Sequence, residues 1–95
     1  MALPQDFGDF RPVHDLAFSS TDVLNALDAF SVEMRAAGAE LTGLSVASVS
    51  AQACVFRARI SGIAPQEAQS LALALEHHPG VSHASVEHIL WRTQR

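Results

Sequence analysis

The chain of 95 residues is short of the features that announce chemistry. It has one cysteine, Cys54, and no Cys-x-x-Cys, so no disulfide closes within it and no paired-thiol redox or metal motif is present. Cys54 lies in a strand-like run and reads as a small buried hydrophobe. Charge is sparse: charged residues make up 17%, no long charged tract occurs, and the formal net charge is −4, a globular and mildly acidic balance that argues against a phosphate-backbone partner. No apolar run approaches the ~20 residues a membrane span needs, and no charged-then-apolar leader opens the chain. The expectation is a cytoplasmic protein with neither membrane nor nucleic-acid partner. No Gly-x-Ser-x-Gly is present, and no segment is repetitive or low in complexity.

What the chain does have is apolar rhythm, with 48% hydrophobic residues in a single-domain length. A period-2 run from Val13 to Phe18 precedes a helical stripe in which Val23, Leu27, Phe30, Met34 and Ala37 fall 4, 3, 4 and 3 apart. Two strand-like runs follow, Leu44 to Val49 and Ala53 to Ile60, joined by a turn over Ser50 to Gln52. A second stripe of Ala68, Leu71, Leu75 and His78 comes next, and a last strand from Val81 to Leu90. The order β-α-β-β-α-β predicts an α+β, ferredoxin-like domain: a four-stranded antiparallel sheet in the order 4-1-3-2 with two helices on one face. Residues 1–12, with Pro4, Gly8 and Pro12, read as an N-terminal arm carrying Phe7 and Phe10; residues 13–91 form the domain, and 92–95 a tail. Ser19 with Asp22 resembles a capping box for the first helix, Gly38 its terminator, and Pro65 the first turn of the second helix.

Alternation assigns faces. His14, Leu16 and Phe18 point to the core, as do Cys54, Phe56, Ala58 and Ile60. The face away from the helices receives Val13, Ala17, Ala47, Val55, Ile89 and Trp91 among Asp15, Arg57, Arg59, His83 and Glu87. An apolar patch with a charged rim predicts a protein interface, built from Val13, Val55, Arg57, Arg59, Ile89 and Trp91, with a second copy of the chain the simplest partner. The alternative is that the N-terminal arm covers it. Arg57 or Arg59 should pair with Asp15 across neighbouring strands.

The five histidines suggest a metal, yet His77 and His78 point apart on a helix, His83 and His88 fall on opposite faces of a strand, and His83 and Glu87 stand roughly 13 Å apart at strand rise. No metal site, no catalytic residue and no cofactor is expected. An RNA-recognition motif would need aromatics at open-face positions that here hold Val13, Val55 and Arg57.

Two stretches carry a family likeness. Ala36-Ala37-Gly38-Ala39-Glu40-Leu41 looks like the link between the first helix and second strand of ACT domains, the small regulatory modules of amino-acid metabolism. His78-Pro79-Gly80-Val81-Ser82-His83-Ala84 looks like that family's lead-in to the last strand. The resemblance spans residues 13–90 and implies a non-catalytic regulatory or ligand-sensing homodimer with an amino-acid-like ligand. ACT domains that bind amino acids usually hold them on a Gly-containing loop after the first strand. The matching stretch here is Ser19-Ser20-Thr21-Asp22, without Gly, so its hydroxyls and the helix N-terminus are the candidate contacts and plain helix capping is the alternative. Two other readings stay open: an assembly subunit docking its sheet face on a separate enzyme, and a small dimeric ferredoxin-like enzyme.

Overall fold

A computed structural model describes residues 10–92. Six elements follow one another: β1 (Phe10–Ser20), α1 (Val23–Ala37), β2 (Glu40–Ser50), β3 (Ala53–Ser61), α2 (Pro65–Glu76) and β4 (Val81–Arg92). The strands form one antiparallel sheet in the order β2-β3-β1-β4, the predicted order read from the other edge. The core lies between the sheet and the two helices. Leu16, Phe18, Phe56, Ala58 and Ile60 meet Ala26, Phe30, Met34, Ala68, Leu71 and Leu75, all buried. Phe18 and Phe56, opposite one another in the β1–β3 register, stack with centroids 4.7 Å apart, and Phe30 closes on Phe18 from α1 at 5.8 Å.

The first strand starts earlier than its apolar alternation predicts. Phe10, Arg11 and Pro12, expected in the arm, pair with Arg92, Trp91 and Leu90 of β4, so Arg92 also belongs to a strand rather than a tail. Pairing of β1 with β3 begins only at Val13, which leaves Pro12 with a neighbour on one side alone, where a residue without an N–H is tolerated. Phe7 and the rest of the arm lie outside the described residues.

Strand pairing also moves the first helix cap. Ser20 is still in the sheet, opposite Cys54 and Val81, so α1 cannot begin at Ser19. Asp22 is the N-cap instead, and its Oδ1 accepts the Asn25 N–H at 3.2 Å. At the other end Gly38 takes φ 70°, and the Gly38 and Ala39 N–H groups close on the carbonyls of Arg35 and Met34, the two-bond ending that favours glycine. Helix α2 has no capping side chain at Ala64. Glu67 Oε1 accepts the Ala64 N–H at 2.8 Å, and Pro65 fills the first turn.

Strand β4 carries an irregularity that alternation cannot foresee. Ala17 pairs with Ser85 and Ser19 with Ser82, so two residues of β4, His83 and Ala84, oppose Phe18. His83 has φ 54°, a left-handed backbone at a bulge. The extra residue flips the parity of the strand start, and Val81 is thereby buried in the core.

Candidate functional site

The face of the sheet away from the helices is the candidate site. Its register rows run across all four strands. One row holds Gly43, Arg59, Asp15 and Glu87, and the next Ser45, Arg57, Ala17 and Ser85. Arg59 donates to Asp15 through Nε at 2.8 Å and Nη2 at 3.0 Å, a two-bond fork between directly paired residues. Of the two arginines offered by the sequence as partners for Asp15, Arg59 is the one that bonds it. The Arg59 guanidinium holds the Asp15 carboxyl below the usual carboxylate range; partial burial opposes this, and the charge of Arg57 adds to it. Asp15 in turn raises Arg59 above its usual value.

The flanking charges are not so satisfied. Arg57 is exposed and makes no hydrogen bond or ion pair with the described residues. Glu87 stands directly opposite Asp15, a like charge, and also makes none. The face thus carries a neutralised pair at its centre, a spare cation on β3 and a spare anion on β4. Thr42, whose hydroxyl donates to the Arg59 carbonyl at 3.0 Å, and Ser45 line the same shallow concavity, of about 720 Å³. Val13, Ala17, Val55 and Ile89 are half-buried around it. Trp91 is on β4, and its side chain lies outside what the structure describes. His83 sits in the bulge and does not line the concavity.

The turn from Ser19 to Asp22 is knit together by its own polar atoms. The buried Ser20 Oγ donates to the Asp22 carbonyl and accepts the Asp22 N–H, both at 2.8 Å. Asp22 spends Oδ1 on the Asn25 N–H and Oδ2 on the Asn25 side-chain amide at 3.0 Å. Ser19 faces the open side of the sheet beside Val55, and Thr21 is exposed. These four residues are neighbours in space, but two of them already serve the helix cap.

Two features went unread in the sequence. One is a groove of about 390 Å³ between α1 and β2, floored by Phe30 and Met34 and rimmed by Leu27, Leu41 and Leu44. Alternation places Leu44 and Val46 on the helix side, yet they are 42% and 44% exposed, because neither helix reaches over the edge strand. The other is a contact between His14 and His88. The order 4-1-3-2 makes β1 and β4 neighbours, and both residues fall on the core side, so the pairing was recoverable from that order. Among the described residues no group of three or more His, Cys, Asp or Glu could hold a metal ion, and no helix is long and apolar enough to cross a membrane.

No protein-family model and no curated protein matches the sequence. Solved structures do match the fold. The C-terminal domain of the MgtC protein from Mycobacterium tuberculosis superposes with a TM-score of 0.66 at 13% identity, over 85% of this chain and 89% of that one. The ACT domain of GTP pyrophosphokinase from Chlorobium tepidum gives 0.62 at 10% identity, over 81% and 96%. An uncharacterized protein from Thermotoga maritima gives 0.57 at 11%, over 82% and 94%. The chain has an ACT-like, ferredoxin-like fold.

Proposed function

We propose that the chain is a small cytoplasmic regulatory domain, without catalytic activity of its own, that works as a homodimer joined through the open sheet face. The ACT-like fold supports the regulatory part. The observation that carries the dimer is the charge pattern of the face: spare Arg57 stands one register row along β3 from Arg59, and spare Glu87 stands beside Asp15 on β4. A two-fold axis over the central strands sets Arg57 of each copy against Glu87 of the other, so one patch is complementary to itself. Half-buried Val13, Val55 and Ile89 supply the apolar contact around it.

The ligand side of the reading is an amino-acid-like molecule at the turn Ser19 to Asp22, placing the domain in amino-acid metabolism. The exposed Asp22 carboxylate suits an ammonium group, with the Thr21 hydroxyl beside it. A second reading uses the same spare charges to dock on a separate enzyme, and it is favoured where the isolated chain stays monomeric.

Sedimentation velocity of the full chain tests the dimer. The expected result is a dimer that Arg57→Glu and Glu87→Arg each weaken and that the double exchange restores. A monomer at all concentrations overturns it. A thermal-shift series with amino acids tests the ligand, and a melting temperature unmoved by any of them removes that part of the reading.

A further inference from the structure

His14 and His88 are register partners on β1 and β4, and both stand on the helix side of the sheet. His14 is 1% exposed, while His88 reaches solvent. The rings meet edge to face at 88°, with Nδ1 of one 3.0 Å from Nδ1 of the other. His14 Nε2 lies 2.9 Å from the Ile63 carbonyl oxygen, and His88 Nε2 lies 3.5 Å from the Gln69 side-chain nitrogen.

These contacts fix the protons. A carbonyl only accepts, so His14 Nε2 carries hydrogen; a neutral imidazole has one, so His14 Nδ1 is bare. The facing Nδ1 of His88 must then be the donor, which leaves His88 Nε2 bare and facing the Gln69 amide. Every bond runs one way: Gln69 to His88, His88 to His14, His14 to the Ile63 carbonyl. The series ties the second turn of α2 and the loop before it to the seam between β1 and β4.

We propose that this series is a proton-sensitive latch that holds with one added proton and opens with two. The first proton goes to the exposed His88 Nε2, and the exposed Gln69 amide must turn its oxygen toward the new N–H to keep that link. The Nδ1–Nδ1 bond survives it and becomes charge-assisted. The second must go to His14 Nδ1, where two N–H groups and two cations then face each other at 3.0 Å with no acceptor between them. Among the described residues no ion pair with either ring offsets that charge. Asp15 and Glu87, next to the two histidines in sequence, alternate to the other face of the sheet. Glu67 of α2 is engaged with the Ala64 N–H, and the loop contributes only the Ile63 carbonyl. No carboxylate among the described residues bonds either ring. The doubly protonated pair cannot keep its Nδ1–Nδ1 bond, so acid favours the open seam. The latch goes beyond the dimer reading and does not depend on it. It does sit one residue from the Val13–Ile89 and Asp15–Glu87 pairs, so opening it disturbs the open face as well.

Long-range proton–nitrogen NMR of the uniformly labelled full chain reads the ring protons directly. At about pH 7.5, above the ordinary histidine range, His14 should be the Nε2–H tautomer and His88 the Nδ1–H tautomer. On acidification, amide exchange at the His14–His88 and Leu16–Val86 pairs should accelerate relative to the β2–β3 pairs, after correction for intrinsic rates. Finding His88 as the Nε2–H tautomer at neutral pH overturns the latch, as does full protonation of both rings with seam protection unchanged. His14→Gln keeps a donor for the Ile63 carbonyl but does not titrate. It should lose the acid-triggered acceleration, and an unchanged acid response in that variant sinks the proposal.

Discussion

Asp15 and Arg59 face each other across the β1–β3 pair and are joined by two hydrogen bonds, 2.8 and 3.0 Å, on a sheet face that no helix covers. Their position explains how two carboxylates, Asp15 and Glu87, stand directly opposite on neighbouring strands, since Arg59 neutralises one of them. The pair is about two-fifths exposed, so solvent screens it and its net contribution is small. The sign of its pH dependence is definite. A carboxyl held below its unfolded value contributes stability above about pH 4, the ordinary aspartate range, and loses it as pH falls through the lowered value. Arg59→Leu should therefore lower the urea midpoint slightly at pH 7 and by progressively less in strong acid. An equal loss at both pH values would contradict this account.

The aromatic stack stabilises the fold far more than this ion pair does. Phe56 is fully buried and packs flat on Phe18. Phe56→Ala should cost about 3–5 kcal/mol through lost transfer energy and a cavity. A domain of this size holds on the order of 5–15 kcal/mol in total, so the variant should melt far lower or not fold cooperatively. Leu73→Ala on α2, at a position 61% exposed, should change stability by less than about 0.5 kcal/mol. Calorimetry of the two variants side by side separates burial from mere hydrophobicity.

At Gly38 conformation and space come apart. A Cβ there would meet nothing within 4 Å, but φ is 70°. Gly38→Ala should cost about 1 kcal/mol, entirely from the left-handed backbone, and Gly38→Asn less, because Asn tolerates that region. Similar chemical denaturation midpoints for both variants would refute a purely backbone origin.

Most of the architecture was legible because period and order are local properties. The stripe from Val23 to Ala37 and the alternation from His14 to Phe18 each report a face, and the element order then dictates the strand sequence. The places that resisted reading depend on a partner strand. Ser19 resembles a cap in isolation, but the pairing of Ser20 with Cys54 and Val81 carries β1 past it and hands the cap to Asp22. The bulge at His83 leaves no mark in its own segment, since it arises where two β4 residues meet Phe18. The Asp15 ion pair was foreseeable from parity, whereas the choice of Arg59 over Arg57 needed the register. The His14–His88 contact escaped a search by spacing within single elements, because its two rings are brought together by strand order alone.

The two edges of the sheet differ in how they are protected. β4 has a bulge with a left-handed His83, and it carries Glu87. β2 also breaks register with β3, between Leu41 and Gly43 and between Ser48 and Ser50, but from Leu41 to Ser50 it has no charged residue and no proline, and its helix-side residues Leu41, Leu44 and Val46 stay 42–47% exposed. A long apolar edge with free backbone donors and acceptors is a template for further strands. Val46→Lys places a charge in mid-edge at a side chain that contributes little to the core, so folding stability should change by less than about 0.5 kcal/mol. The aggregation rate on agitation or mild heating should fall, because an added strand would have to bury that ammonium. The open sheet face is untouched by this substitution, so a dimer built on Arg57 and Glu87 should sediment as in the wild type. If Val46→Lys instead abolishes the dimer while the chain stays folded by circular dichroism, the edge and not the face joins the two copies.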